Sequence, residues 1–128
     1  MDKVIIDTNF IMTCVKQKID LFWDMKAMGL QMLIPKQVIN ELNIVVKSTK
    51  KFHFRQDAEV ALKIIEKEKE IITIVDLKKY GKTTDSAIKN FANLHKEILV
   101  ATMDQALKRK ITNNKVVIRG RHRLEIVQ

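Results

Sequence analysis

Met1-Asp-Lys-Val-Ile-Ile-Asp-Thr-Asn-Phe10 opens the chain and decides how the rest of it reads. Val4, Ile5 and Ile6 form an unbroken apolar run, too short for a stable helix and right for a buried strand. The run stops at Asp7, and Thr8 and Asn9 follow, residue types that favour turns and helix caps. A parallel strand ending in a carboxylate, at the mouth of the next loop, is where open α/β sheets gather their chemistry. The plain alternative is that Asp7 merely caps the following helix, and for one aspartate taken alone that alternative stands.

Working outward, short apolar runs alternate with helical stripes. Residues 10–16 read as a short helix, and residues 19–28 as a second one carrying Leu21, Phe22, Met25 and Met28, with Gly29 placed to end it. Met32-Leu33-Ile34 is a second strand halted by Pro35, which also suits the first turn of a new helix. That helix turns Val38, Ile39, Leu42, Val45 and Val46 inward and carries Glu41 about two turns in. Residues 47–55 (Lys-Ser-Thr-Lys-Lys-Phe-His-Phe-Arg) lack helical periodicity. They predict a basic loop whose Phe52 and Phe54 anchor it to the core while its lysines contact nucleic acid.

A helix is expected over residues 56–70, with Ala58, Ala61, Leu62 and Ile65 in one stripe. Strands follow at residues 71–75, 98–101 and 116–118, a helix at 85–95, a short one opened by Asp104, and a candidate last strand at 124–127. The helix at 85–95 buries Ile88, Phe91, Ala92 and either His95 or Leu94. The alternation predicts an α/β protein of three layers, α/β/α, with a doubly wound, mainly parallel sheet of about five strands. Its 128 residues make one domain, residues 1–128, long enough to bury a real core.

Hydrophobic residues make up 46% and charged residues 30%, which excludes a disordered chain. The net charge of +9 and a pI near 9.7 favour a polyanionic partner, nucleic acid ahead of an anionic membrane. Five Phe, one Tyr and one Trp do not suggest a stacking platform for single strands. No apolar run approaches the ~18 residues of a membrane span, and the N-terminus lacks a secretory layout. The lone Cys14, among apolar neighbours, reads as a structural thiol in a reducing compartment. The expectation is a cytoplasmic protein with no membrane partner.

Three acids occupy equivalent places: Asp7 after the first strand, Asp85 opening the helix after the third, Asp104 just after the fourth. In a parallel sheet all three lie at the carboxyl edge, and Glu41 is the natural fourth member. Each alone has a respectable explanation as a helix cap. Together they repel and take up protons unless a cation neutralises them. Oxygen ligands without His or Cys select a hard ion, Mg²⁺ or Mn²⁺, over zinc. His53, His95 and His122 stand at no metal-ligand spacing. Basic residues rim the acids: Lys47, Lys50, Lys51 and Arg55; Lys82; Lys108; and Arg119, Arg121 and Arg123. That layout suits a metal-dependent nuclease whose rim holds phosphates.

The motifs Asp7-Thr8-Asn9, Val38-Ile39-Asn40-Glu41-Leu42, Thr84-Asp85-Ser86-Ala87-Ile88 and Val100-Ala101-Thr102-Met103-Asp104 carry a resemblance. In that order, over residues 2 to about 120, the chain resembles the PIN domain family of metal-dependent ribonucleases. The tail Ile118-Arg119-Gly120-Arg121-His122-Arg123-Leu124 is similar to small stand-alone archaeal-type members, related to the PIN nuclease that processes small-subunit ribosomal RNA. One departure is Met103, where many members carry Asn or Asp and where a thioether cannot ligate a hard cation.

The resemblance implies an endoribonuclease using Mg²⁺ or Mn²⁺, with Asp7, Glu41, Asp85 and Asp104 as catalytic and metal-holding residues. Asn9 and Thr102 would orient those carboxylates by hydrogen bonds. The implied partner is RNA, pre-rRNA or a ribosome precursor, with a homodimer or an antitoxin-like protein as further partners. Two other readings share the fold: a toxin of a toxin–antitoxin pair, and an inactive RNA-binding module in ribosome assembly. A phosphatase or receiver fits less well. A phosphatase of that kind wants a second Asp where Asn9 stands, and a receiver wants an acidic pair and a lysine that are not clear here.

Overall fold

In the computed structural model, which describes residues 2–120 and 122–128, the strands are β1 (Asp2–Ile6), β2 (Leu30–Pro35), β3 (Ile72–Val75), β4 (Leu99–Ala101), β5 (Lys115–Arg119) and β6 (Arg123–Val127). The helices are α1 (Thr8–Lys16), α2 (Leu21–Ala27), α3 (Lys36–Val46), α4 (Phe52–Lys67), α5 (Thr84–Leu94) and α6 (Gln105–Arg109), with a 3₁₀ turn at Lys78–Tyr80. The sheet order is β3-β2-β1-β4-β5-β6. The first five strands are parallel, and β6 returns antiparallel to β5. The expected doubly wound α/β/α sheet is therefore present, with six strands where about five were expected.

Alternation along the strands explains the layers, because successive side chains point to opposite faces. Val4 and Ile6 join Met32, Ile34, Leu99 and Ala101 on the face covered by the first four helices, where Phe10, Leu42 and Ala58 are buried. Ile5, Leu33 and Val100 face the other way, onto Ala87, Ile88 and Ala92 of α5 and Leu107 of α6. The chain winds one way from β1 to β3, then crosses to β4 on the far side of β1. The order thus reverses between β1 and β4, and the carboxyl ends of these two strands flank the switch point. The Asp7 N–H donates to the Ala101 carbonyl at 2.9 Å, extending the ladder by one residue and pinning Asp7 at that edge.

Local chemistry sets several element ends. Gly29 takes φ +75° after α2, the left-handed conformation expected there. Gly81 is extended, and its need is space: a Cβ there would stand 2.5 Å from Ser86 Oγ and 2.7 Å from the Ala87 nitrogen. Thr83 and Ser86 cap α5 reciprocally. Asn113, just before β5, is almost fully buried and donates through Nδ2 to the carbonyls of Ala92 (3.1 Å), His95 (3.0 Å) and Ile98 (2.8 Å), tying the end of α5 to the start of β4. Cys14 is buried under α4, and burial pushes its thiol up to about 12, with Asp24 adding to the effect. No helix among the described residues is long and apolar enough to cross a membrane.

Two expectations fail. Residues 52–55 are the first turn of α4 and not a loop, and Phe52 and Phe54 are 68% and 43% exposed, so neither anchors anything to the core. A window dominated by Lys, Ser and Thr hides a helix start whose first buried residue is Ala58. Leu94, offered as an inward residue of α5, is also solvent-exposed; His95, its alternative, caps the helix end against Phe91.

Candidate active site

Asp7 ends β1 and caps α1, so both readings of the opening motif hold at once. Its carboxylate is 3% exposed. Oδ1 accepts from the Thr8 N–H at 2.8 Å, and Oδ2 accepts from the Thr102 hydroxyl at 2.8 Å. Thr102, fully buried at the end of β4, also accepts from the Asp104 N–H at 3.1 Å. One hydroxyl therefore ties the two aspartates on either side of the switch point. Asp104 caps α6 by accepting from the Leu107 N–H at 3.1 Å.

Asn9, expected to orient a carboxylate, instead bonds to the loop after β4 and, among the described residues, to no carboxylate. Its Oδ1 accepts from the Met103 N–H at 3.1 Å and stands 3.5 Å from the Thr102 hydroxyl. Glu41, half-buried on α3, is reached by a residue that sequence reasoning passed over: the Thr8 hydroxyl donates to its Oε1 at 3.2 Å. No local signal marks it, because the partner lies 33 residues further along the chain.

Electrostatics bring the fourth acid into the group. Burial pushes Asp7 up to about 6 from an ordinary 3.8; the Thr102 and Thr8 bonds pull against that, and the charges of Asp85 and Glu41 add to it. Asp85, exposed in the first turn of α5, is also raised: by desolvation first, then by the charge of Asp104 and a hydrogen bond shared with it, then by Glu41. Lys110 opposes these. Asp85, Asp104 and Lys110 line one cleft of about 210 Å³. Each of the four predicted carboxylates thus lies within electrostatic reach of at least one other.

They do not form a closed cage. Among the described residues no three His, Cys, Asp or Glu side chains stand close enough together to ligate a single ion as placed. Such spacing still fits a hard cation of the magnesium type, which keeps several waters and takes only one or two carboxylates directly. The donors are all oxygen, and two of them, Asp7 and Asp85, are held off their ordinary ionisation by burial first and by the charge of neighbouring carboxylates second, a strain that a cation relieves.

Of the predicted rim, Lys47, Lys50, Lys51, Arg55, Lys82, Arg119 and Arg123 are solvent-exposed and Lys108 is half-buried. Arg119 pairs through Nε with Glu125 across the β5–β6 hairpin at 3.4 Å. Arg121 lies outside the described residues. Met103 is exposed beside Asp104, and Lys110, part of the basic run that follows Asp104 in the sequence, lines the acidic cleft itself.

A three-layer α/β/α sheet with carboxylates gathered at its switch point defines the class, the PIN nuclease fold. The chain belongs to the PIN like domain family, whose model matches residues 4–123. Among solved structures it is similar to the PIN domain endonuclease Utp24, at 29% identity and a TM-score of 0.75, covering 97% of this chain and 90% of that one. It is similar in fold to VapBC2 from Rickettsia felis bound to a DNA fragment from their promoter, at 17% identity and a TM-score of 0.60, covering 88% and 98%. The PIN domain of human SMG5 shares the fold at 15% identity and a TM-score of 0.53, covering 87% and 91%. No curated protein matches the chain in sequence.

Proposed function

We propose that this protein is a metal-dependent endoribonuclease that cuts RNA with Mg²⁺ or Mn²⁺ held by Asp7, Asp104, Asp85 and Glu41. The observation that carries the reading is a buried carboxylate, Asp7, tied through the Thr102 hydroxyl to the backbone of Asp104 at the reversal point of the sheet, with the charges of Asp85 and Glu41 in reach. When bound, the ion supplies an activated water for in-line attack on the phosphodiester and offsets charge on the leaving oxygen.

The chain's own residues do the positioning. The Thr102 hydroxyl fixes Asp7 Oδ2 and the Asp104 backbone together, and Thr8 fixes Glu41. Asn9 sets the loop that carries Met103 and Asp104. Rim cations, among them Lys82, Lys108, Arg119, Arg121 and Arg123, hold phosphates that flank the cut, while Lys47, Lys50, Lys51 and Arg55 hold a second stretch of backbone. On this reading the substrate is a ribosomal RNA precursor in the cytoplasm; the likeness to the PIN domain endonuclease Utp24 across nearly the whole chain supports the endonuclease part of it.

A second reading keeps the chemistry and changes the partner. In that reading the protein is a toxin held by an antitoxin-like partner, and the VapBC2 structure, at 17% identity, shares the fold alone. Incubating the protein with structured RNA and Mn²⁺, with and without chelator, and mapping the cut ends tests the reading. Cleavage that needs the metal and disappears in Asp7→Asn is expected. Unchanged turnover in that variant, or metal-dependent binding without any product, refutes it and leaves an RNA-binding module.

A further inference from the structure

The first turn of α4 does nothing for the core. Residues 51–56 are all exposed, Phe52 and Phe54 among them. Two phenylalanine rings on one exposed helix tip, outside the buried stripe that begins at Ala58, form an apolar patch in water. Each sits in a cation- or imidazole-decorated pair. The Arg55 guanidinium lies 5.8 Å from the Phe52 ring centre, and the His53 ring lies 4.4 Å from that of Phe54.

From Leu42 to Gln56 the chain carries four cations and no acid. This tip lies near the candidate site along the chain path: α3 ends at Val46, five residues past Glu41, which is about 7.5 Å along the helix axis. A cleft of about 270 Å³ opens beside Phe52, walled by Val46, Arg55 and Val60; Glu59 in the same cleft is occupied by Lys63 at 3.2 Å.

Exposed rings interleaved with uncompensated cations match one chemistry, unpaired bases joined by phosphates. A second copy of this chain fits poorly, because a symmetric contact would set four cations against four. We propose that the tip formed by the end of α3 and the start of α4 binds single-stranded RNA. Phe52 and Phe54 stack on unpaired bases, and Lys50, Lys51 and Arg55 hold the intervening phosphates. The assignment rests on the ribonuclease reading for the identity of its ligand, and it narrows the substrate to RNA with an unpaired stretch beside the cut.

The test is binding of the whole protein to a short unstructured RNA and to a duplex of equal length, in chelator so that nothing is cut. Phe52→Ala with Phe54→Ala should weaken single-strand binding about tenfold or more, with the duplex unaffected and the salt dependence unchanged. Trp at both positions should keep the affinity and Leu should not. Lys50→Ala with Lys51→Ala should instead flatten the salt dependence, by about 1.4 in the log–log slope. Single-strand affinity unchanged in the double alanine variant overturns the proposal. So does an equal loss on duplex, or full single-strand affinity with Leu, which shows that ring stacking does not hold the RNA. Cleavage with Mn²⁺ is read separately. A wild type that binds in this manner but never cuts sinks the nuclease reading and leaves the tip standing. A wild type that cuts, beside a double alanine variant that binds as well as it does, sinks the tip alone.

Discussion

Replacing Asp7 by Asn should make the protein more stable at neutral pH while removing its activity. The ordinary pKa is 3.8 and the folded value about 6. Between these values the folded state holds a proton that the unfolded chain has released, so stability falls as pH rises through the window and is fullest below it. At about 1.4 kcal/mol per pKa unit, the ionised carboxylate costs the fold about 3 kcal/mol above pH 7.

Asparagine is neutral at every pH and keeps the acceptor for the Thr8 N–H. The Thr102 hydroxyl must then accept from the new amide and turn its own proton toward Asn9 Oδ1, 3.5 Å away, which recovers only part of the lost bond. A net gain of about 2 kcal/mol remains, or about 5–10 °C in Tm for a chain of this size. The assay is thermal unfolding of both proteins in chelator at several pH values. The gap should be wide at pH 7.5 and close near pH 4. Saturating Mn²⁺ should then raise the wild type and leave the variant where it is. A variant that melts below the wild type at pH 7.5 in chelator, or a gap that ignores pH, refutes the claim that Asp7 is held ionised against its surroundings.

Three further outcomes are expected. Thr102→Val keeps the shape and strands both an Asp7 oxygen and the Asp104 N–H; it should cost about 1–3 kcal/mol in denaturant unfolding and weaken Mn²⁺ binding measured by calorimetry. Gly81→Ala drives a methyl into Ser86 and the backbone of Ala87, so it should cost about 1–3 kcal/mol and lower cleavage by displacing the start of α5, which carries Asp85. Asn113→Ala leaves three carbonyls without their shared donor and should cost about 2–4 kcal/mol in chemical denaturation with no change in metal affinity.

The opening motif was legible because a buried parallel strand needs a continuous apolar run, and Val4-Ile5-Ile6 is one that ends on a carboxylate. Asp85 and Asp104 followed from the same rule, since strand ends in a parallel sheet share an edge whatever the helices between them do. The start of α4 was not legible. Propensity in residues 47–55 argues for a loop, and the helix there continues upward from a stripe that begins only at Ala58. Thr8 and Asn113 escaped for a different reason: their partners, Glu41 and three distant carbonyls, lie 15 to 33 residues away, where local pattern is blind.

Cys14 offers a practical consequence. A lone thiol, 1% exposed in the wall of a cleft of about 310 Å³ between α1 and α4 and pushed up to about 12, carries almost no thiolate at neutral pH, so alkylation waits on a motion that widens the cleft around it. Since α1 and α4 both pack into the main core, that motion separates two of its elements. The rate of mass gain during timed alkylation then clocks that motion in native buffer, for the wild type and every variant above, without a label or a melt.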